Sequence, residues 1–408
     1  MYNSNNLTIN STYLTITLFI SSILFYSITP LLIVTLIFSP LFFIYVCRIK
    51  VNKISILILL FCVCAIPAIS QFFSITESIR FVLLVVLFIM FYFMGTQHTT
   101  HFKYFKILTI IFYCCAFVVV YYHFSMSFID GFVLDEGRKG YYAREFLFIG
   151  RKYEFTFGVT HLNLYTAYCL LYSIIRTVLL KQKKWYLIVL TFLLLSILSE
   201  SRGPVLFAII AFLSIWLCLN IHKNKSFKFV FMLVFFMVAV LIVSVPILWE
   251  ALKAQGHSGN NRLLTSAATD VSRLVFFSLG IEHLSMKPFG NVSIYTAKSD
   301  LQNYHNTFLT IANRNGIISF SFVLLAILVS FIRSIISLKS GLPSFLVICP
   351  ILIYLYCLFF LNIEDVMRFD RFIYFLLAFQ LGVSERLYRS ILIRTSNEKI
   401  ITSIYCFR

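Results

Sequence analysis

Long apolar runs separated by short polar breaks set the pattern of this chain. Runs such as Phe81–Gly95 and Trp185–Ser199 approach the ~20 residues that cross a hydrocarbon core of about 30 Å. Twelve such spans can be drawn, at 11–29, 30–46, 54–73, 79–94, 107–124, 158–180, 185–199, 204–220, 229–249, 305–332, 342–361 and 371–384. They predict an all-α, polytopic integral membrane protein with about 12 transmembrane helices, forming a single transmembrane domain over residues 1–408. A β-barrel is excluded, because its alternation of apolar and polar residues is absent. The first two spans read as a tight hairpin broken at Pro30.

Two polar connections are long. One runs over 125–157 and carries five basic and five acidic residues. The other runs over 250–304, and loops of that length in a compact protein are functional or disordered. Phe276, Phe277, Leu279, Ile281 and Leu284 recur within it and predict amphipathic helices resting at the membrane surface.

Composition agrees with the spans. Sixty per cent of residues are hydrophobic and only 12% are charged, more apolar surface than a soluble chain needs. The start, MYNSNNLTINSTYL, lacks a basic n-region and a cleavage site, so the first helix is expected to stay in the protein. The ten cysteines fall in apolar spans or beside basic loops, which fits small packing residues rather than disulfides or zinc.

The formal charge of +18 invites a nucleic-acid partner, but its distribution argues against one. The short connections RIKVNK, HFKYFK, KQKK, HKNKSFK and RSIISLK and the C-terminal tail all lie on one side of the twelve-span drawing. That side holds 19 Lys/Arg and two acids, a net +17, and the other holds 15 and 14, a net +1. Nearly all the charge is a topology signal that puts the basic side, and both termini, in the cytoplasm.

Three positions on the other face could carry chemistry. Arg202 lies in SESRGP between two spans, Arg273 lies in the long loop, and His305-Asn306 opens the tenth span. Arginine presents a fixed fork of donors to phosphate oxygens, and a neutral histidine accepts a proton from a hydroxyl near neutral pH. Together they suit transfer from a phosphate-linked donor to an alcohol. Each also has a plainer role: Arg202 as an interfacial anchor, Arg273 paired with Asp270, His305 as a helix cap. Arg262 lies 11 residues before Arg273 and is a weaker ligand candidate. No HEXXH or DXD motif points to a metal, and no GxxxxGK or GxGxxG motif points to a nucleotide. The adjacent acids Glu364-Asp365 read as a solvated loop end.

The pattern resembles the O-antigen polymerase and O-antigen ligase family of bacterial envelope glycosyltransferases. Four pieces carry the resemblance over roughly residues 155–325: FGVTHLNLYTAYCLL with Asn163, the Ser-Arg-Gly junction at Arg202, the stretch from Arg273 to Pro288-x-Gly290, and HNTFL from His305 with Gly316 downstream. The residue after the loop arginine, usually aromatic, is Leu274 here, with phenylalanines following at 276 and 277, and the second glycine usual after Pro-x-Gly is replaced by Asn291.

The resemblance implies a GT-C-like fold and a metal-independent, inverting glycosyltransferase without cofactor, working on undecaprenyl-diphosphate-linked glycans at the periplasmic face of the bacterial inner membrane. It implies catalytic roles for His305, Arg273 and Arg202, and substrate binding by Arg262, Asn306 and Asn163. The bilayer is the expected environment, with a chain-length regulator and a flippase as further partners and no nucleic acid. A polymerase joins lipid-linked repeat units, whereas a ligase moves the polymer to lipid A core. A flippase of lipid-linked sugars is the third alternative, although the internal repeats expected of a transporter are absent.

Overall fold

A computed structural model describes residues 13, 15–20, 22–23, 53–70, 75–97, 101–130, 142–148, 151–157, 159–198, 202–224, 278–290, 306–340, 342–363 and 371–406. The helices, beyond a helical stretch within 13–23, are α1 (Lys53–Ser70), α2 (Ile75–Gln97), α3 (His101–Asp130), α4 (Val159–Ile174), α5 (Trp185–Leu198) and α6 (Arg202–Asn224). They continue with α7 (278–286), α8 (Thr307–Asn315), α9 (Ile317–Ser337), α10 (Ser344–Ile363) and α11 (Arg371–Cys406). One antiparallel hairpin, β1 (Tyr142–Phe148) and β2 (Arg151–Phe157), pairs Tyr142 with Phe157 and Phe146 with Tyr153.

Among the described residues, five helical segments are long and apolar enough to cross a membrane: Tyr104–Tyr121, Leu162–Leu179, Gly203–Lys223, Ile317–Ser337 and Ser344–Leu361. Two shorter apolar helices accompany them, Val86–Gln97 and Trp185–Ile197. The chain is thus a polytopic α-helical membrane protein. Spans drawn at 30–46 and 229–249 lie outside the described residues.

The segment Phe372–Glu385 of α11 is buried throughout and forms the centre of the bundle, packed on α2, α9 and α10. Phe372 meets Phe19, Tyr165 and Tyr168 edge to face, and Phe375 stacks on Phe91 at 4.7 Å. Apolar burial gives little drive in lipid, where tails are as apolar as leucine, so close backbone approach and interhelical hydrogen bonds matter more. Both are present. Gly95 of α2 and Gly382 of α11 let the two helices touch: a Cβ on Gly95 would overlap the Phe379 carbonyl oxygen, and one on Gly382 the Tyr92 carbonyl oxygen. Buried tyrosines find acceptors across helices: Tyr104 donates to Gln380 at 2.9 Å, Tyr356 to the Leu164 carbonyl at 2.7 Å and Tyr168 to the Leu108 carbonyl at 3.2 Å.

Three expectations from the sequence are corrected. The span at 305–332 is two helices, because Gly316 adopts φ +87° and ends α8 before α9 begins. The connection at 125–157 is not wholly a loop: α3 runs on to Asp130, and residues 142–157 supply the hairpin. The tail after 384 is helical, because α11 meets no proline and no further glycine and carries the i,i+4 pair Glu385–Arg389 at 2.8 Å. Its 36 residues extend roughly 54 Å at 1.5 Å per residue, well beyond the hydrocarbon thickness.

Candidate functional site

Helix α8 is built unlike its neighbours. Thr307, Thr310, Asn313 and Asn315 are all buried, so a helix that is half polar sits inside the protein instead of facing lipid. It packs on α1, α9 and α10. Asn306 starts it as N-cap: its Oδ1 accepts the Leu309 backbone N–H at 2.9 Å, and its carbonyl accepts from both the amide and the hydroxyl of Thr310 at 3.0 Å. The cap role considered for His305 therefore belongs to Asn306. His305 itself lies outside the described residues.

The end of α8 is locked to the long loop. Pro288-Phe289-Gly290 packs against Asn315-Gly316, and the Ile317 N–H, the first of α9, donates to the Pro288 carbonyl at 2.8 Å. Both glycines hold positive φ, +91° at Gly290 and +87° at Gly316, which L side chains rarely adopt. A second tie comes from Asn313, whose Nδ2 donates to the Gly280 carbonyl of α7 at 2.9 Å and to the Leu309 carbonyl at 3.0 Å. The Asn313 Oδ1 is buried and has no hydrogen-bond partner among the described residues. Helix α7 thus docks on α8, while Ile281, Met286 and Phe289 around it stay exposed.

Helices α9 and α10 form an antiparallel pair joined by a short connection, with Phe331 against Tyr354 at 5.9 Å. The start of α9, and with it Gly316, therefore lies level with the end of α10. That same end of α10 receives α6 and α4: the Phe360 ring stands 3.5 Å from where a Cβ on Gly203 would sit, and Tyr356 packs on Phe207 and hydrogen-bonds the Leu164 carbonyl. Arg202 is the first residue of α6 and Asn163 is half-buried in α4, so both backbones stand at this end of the bundle, with Asn306. The Arg202 side chain, and all of Arg262 and Arg273, lie outside what is described.

The chemistry available here is hydrogen bonding by amides and hydroxyls, on a buried half-polar helix at the end of an apolar bundle. Asn313 was not singled out by the sequence, since a lone Asn within a helix carries no signal. Nor was the glycine-on-glycine contact, although both glycines were present in the motifs. No family model and no curated protein matches this chain.

Proposed function

We propose that the chain is an O-antigen polymerase of the bacterial inner membrane, with about 12 spans and both termini in the cytoplasm. It joins undecaprenyl-diphosphate-linked repeat units on the periplasmic face. The acceptor hydroxyl attacks the anomeric carbon of the donor glycan, a new C–O bond forms as the bond to diphosphate breaks, and configuration inverts. His305 takes the hydroxyl proton, and the diphosphate leaves on its lipid carrier. A diphosphate needs charge stabilisation more than a general acid, and Arg202 and Arg273 supply it. Arg262, Asn306 and Asn163 contact the glycan chains.

The observation that supports this reading is the docking of the Pro288-x-Gly290 turn on Gly316. It ties the segment that follows Arg273 to the helix that follows His305, two stretches separated by the 15 residues between Gly290 and Asn306 that the resemblance treats as parts of one site. The Asn313–Gly280 bond adds a second tie between the same two stretches.

Deletion of the gene tests the assignment. A polymerase acts before ligation, so its loss should leave single repeat units on lipid A core, one band above bare core on a gel. Bare core with long polymer held on the undecaprenyl carrier would assign the chain as a ligase. Bare core with no outward-facing polymer would assign it as a flippase.

A further inference from the structure

At the opposite, basic end of the bundle stands an arginine that the proposed chemistry does not use. Arg176 lies in the π-helical turn Ile175–Leu179 that finishes α4, a distortion that often marks functional positions. Its guanidinium carbon sits 5.1 Å from the Phe105 ring centroid, 5.5 Å from Tyr172 and 5.0 Å from Trp185, so α3, α4 and α5 each place one ring against it. Its Nε is buried, and among the described residues it has no hydrogen-bond partner and Arg176 makes no ion pair. The rings hold the guanidinium in place without neutralising it.

The described surroundings offer no free counter-charge. Glu385 is the one acid among the described side chains at this end, and Arg333 and Arg389 already occupy it. The turn after Arg176 adds Lys181, Lys183 and Lys184, all exposed, and folds back so that the Gln182 N–H donates to the Arg176 carbonyl at 3.1 Å. Lys181 holds φ +54° to make that turn. Trp185 opens the next helix directly after it, and tryptophan marks the headgroup level of a bilayer.

We propose that this corner is a binding site for the phosphate of an anionic phospholipid. The outer nitrogens of Arg176 take the phosphate oxygens through their planar fork, the three rings fix its plane, and the lysine turn adds charge at headgroup depth. The site lies at the other end of the bundle from the proposed transfer chemistry and does not depend on that chemistry.

The full-length protein in mixed micelles of phosphatidylglycerol and phosphatidylcholine tests the site, with native mass spectrometry counting the lipid that stays bound. One phosphatidylglycerol should be retained in preference to phosphatidylcholine. Arg176→Gln should lower that preference at least about ten-fold, and Arg176→Lys should be intermediate because it keeps the charge and loses the fork. Lys183→Gln and Lys184→Gln, both exposed and harmless to the core, should each cost about five-fold, equivalent to about 1 kcal/mol. An unchanged preference in Arg176→Gln overturns the proposal, as does an unchanged preference in the lysine variants. An equal loss in Arg386→Gln, an exposed cation outside the corner, overturns it too, since net charge alone would then explain the binding. Displacement of the lipid by millimolar inorganic phosphate would assign the site to a free anion and contradict the lipid assignment.

Discussion

Gly290 and Gly316 meet backbone to backbone: a Cβ on Gly290 would stand 2.5 Å from the Gly316 nitrogen, and one on Gly316 would stand 2.7 Å from the Phe289 carbonyl. Alanine at either position meets both a clash and a left-handed conformation, which costs about 1–3 kcal/mol on its own. Gly290→Ala and Gly316→Ala should each lower the thermal midpoint of the purified protein and reduce chain extension. Wild-type behaviour of both would mean that the contact is not formed in the membrane. Asn313→Ala should act in the same direction, since it leaves the Gly280 carbonyl without its partner at a cost of about 1–3 kcal/mol.

Asn306 separates capping from substrate contact. Removing the cap with Asn306→Ala should cost about 1 kcal/mol, and Asn306→Asp should restore that stability because aspartate caps equally well. If the amide also donates to a glycan, Asn306→Asp will be stable and poorly active. Melting curves and a surface-polysaccharide gel, read together, decide between the two.

The proposed catalytic trio should behave unlike structural residues. Arg202→Ala and Arg273→Ala should each lower chain extension by roughly 10²–10³ at unchanged protein level, with only partial rescue by Lys. Arg262→Ala should be milder. His305→Ala should cost roughly 10²–10⁴, and His305→Asn should not restore activity, because Asn306 already caps α8. Full activity of both arginine-to-alanine variants would remove the diphosphate clamp.

The orientation rests on the +17 against +1 asymmetry of the sequence. Cysteines placed at Ser258 and Asp135 should react with an impermeant maleimide in intact cells, and one at Lys183 only after permeabilisation. Labelling of Lys183 from outside, with none at Ser258, would invert the topology and remove the site from the periplasm.

Much of the bundle was legible because period and length suffice for apolar spans: 158–180 and 342–361 differ from the helical segments there by one or two residues at each end. The break at Gly316 was not, since hydropathy averages over it, and only the φ demanded by contact with Gly290 ends the helix there. The hairpin is hard to read from the sequence because Arg144 takes an aromatic position in the alternation Tyr142, Phe146, Phe148 of β1, and the alternation Tyr153, Phe155, Phe157 of β2 is only three aromatics long. Arg176 was counted as one more cation of the basic side, because the rings that surround it come from three separate helices.

The central claim, glycosyl transfer between lipid-linked repeat units, is met most directly by reconstitution. The purified chain in liposomes would be given undecaprenyl-diphosphate-linked repeat units extracted from its own host lacking this gene, with no nucleotide sugar, ATP or divalent cation. The account predicts a ladder of products differing by one repeat unit, formed by the wild type and lost in Arg273→Ala. Repeat units that stay single with the wild type, under conditions where it is folded and membrane-inserted, would contradict it.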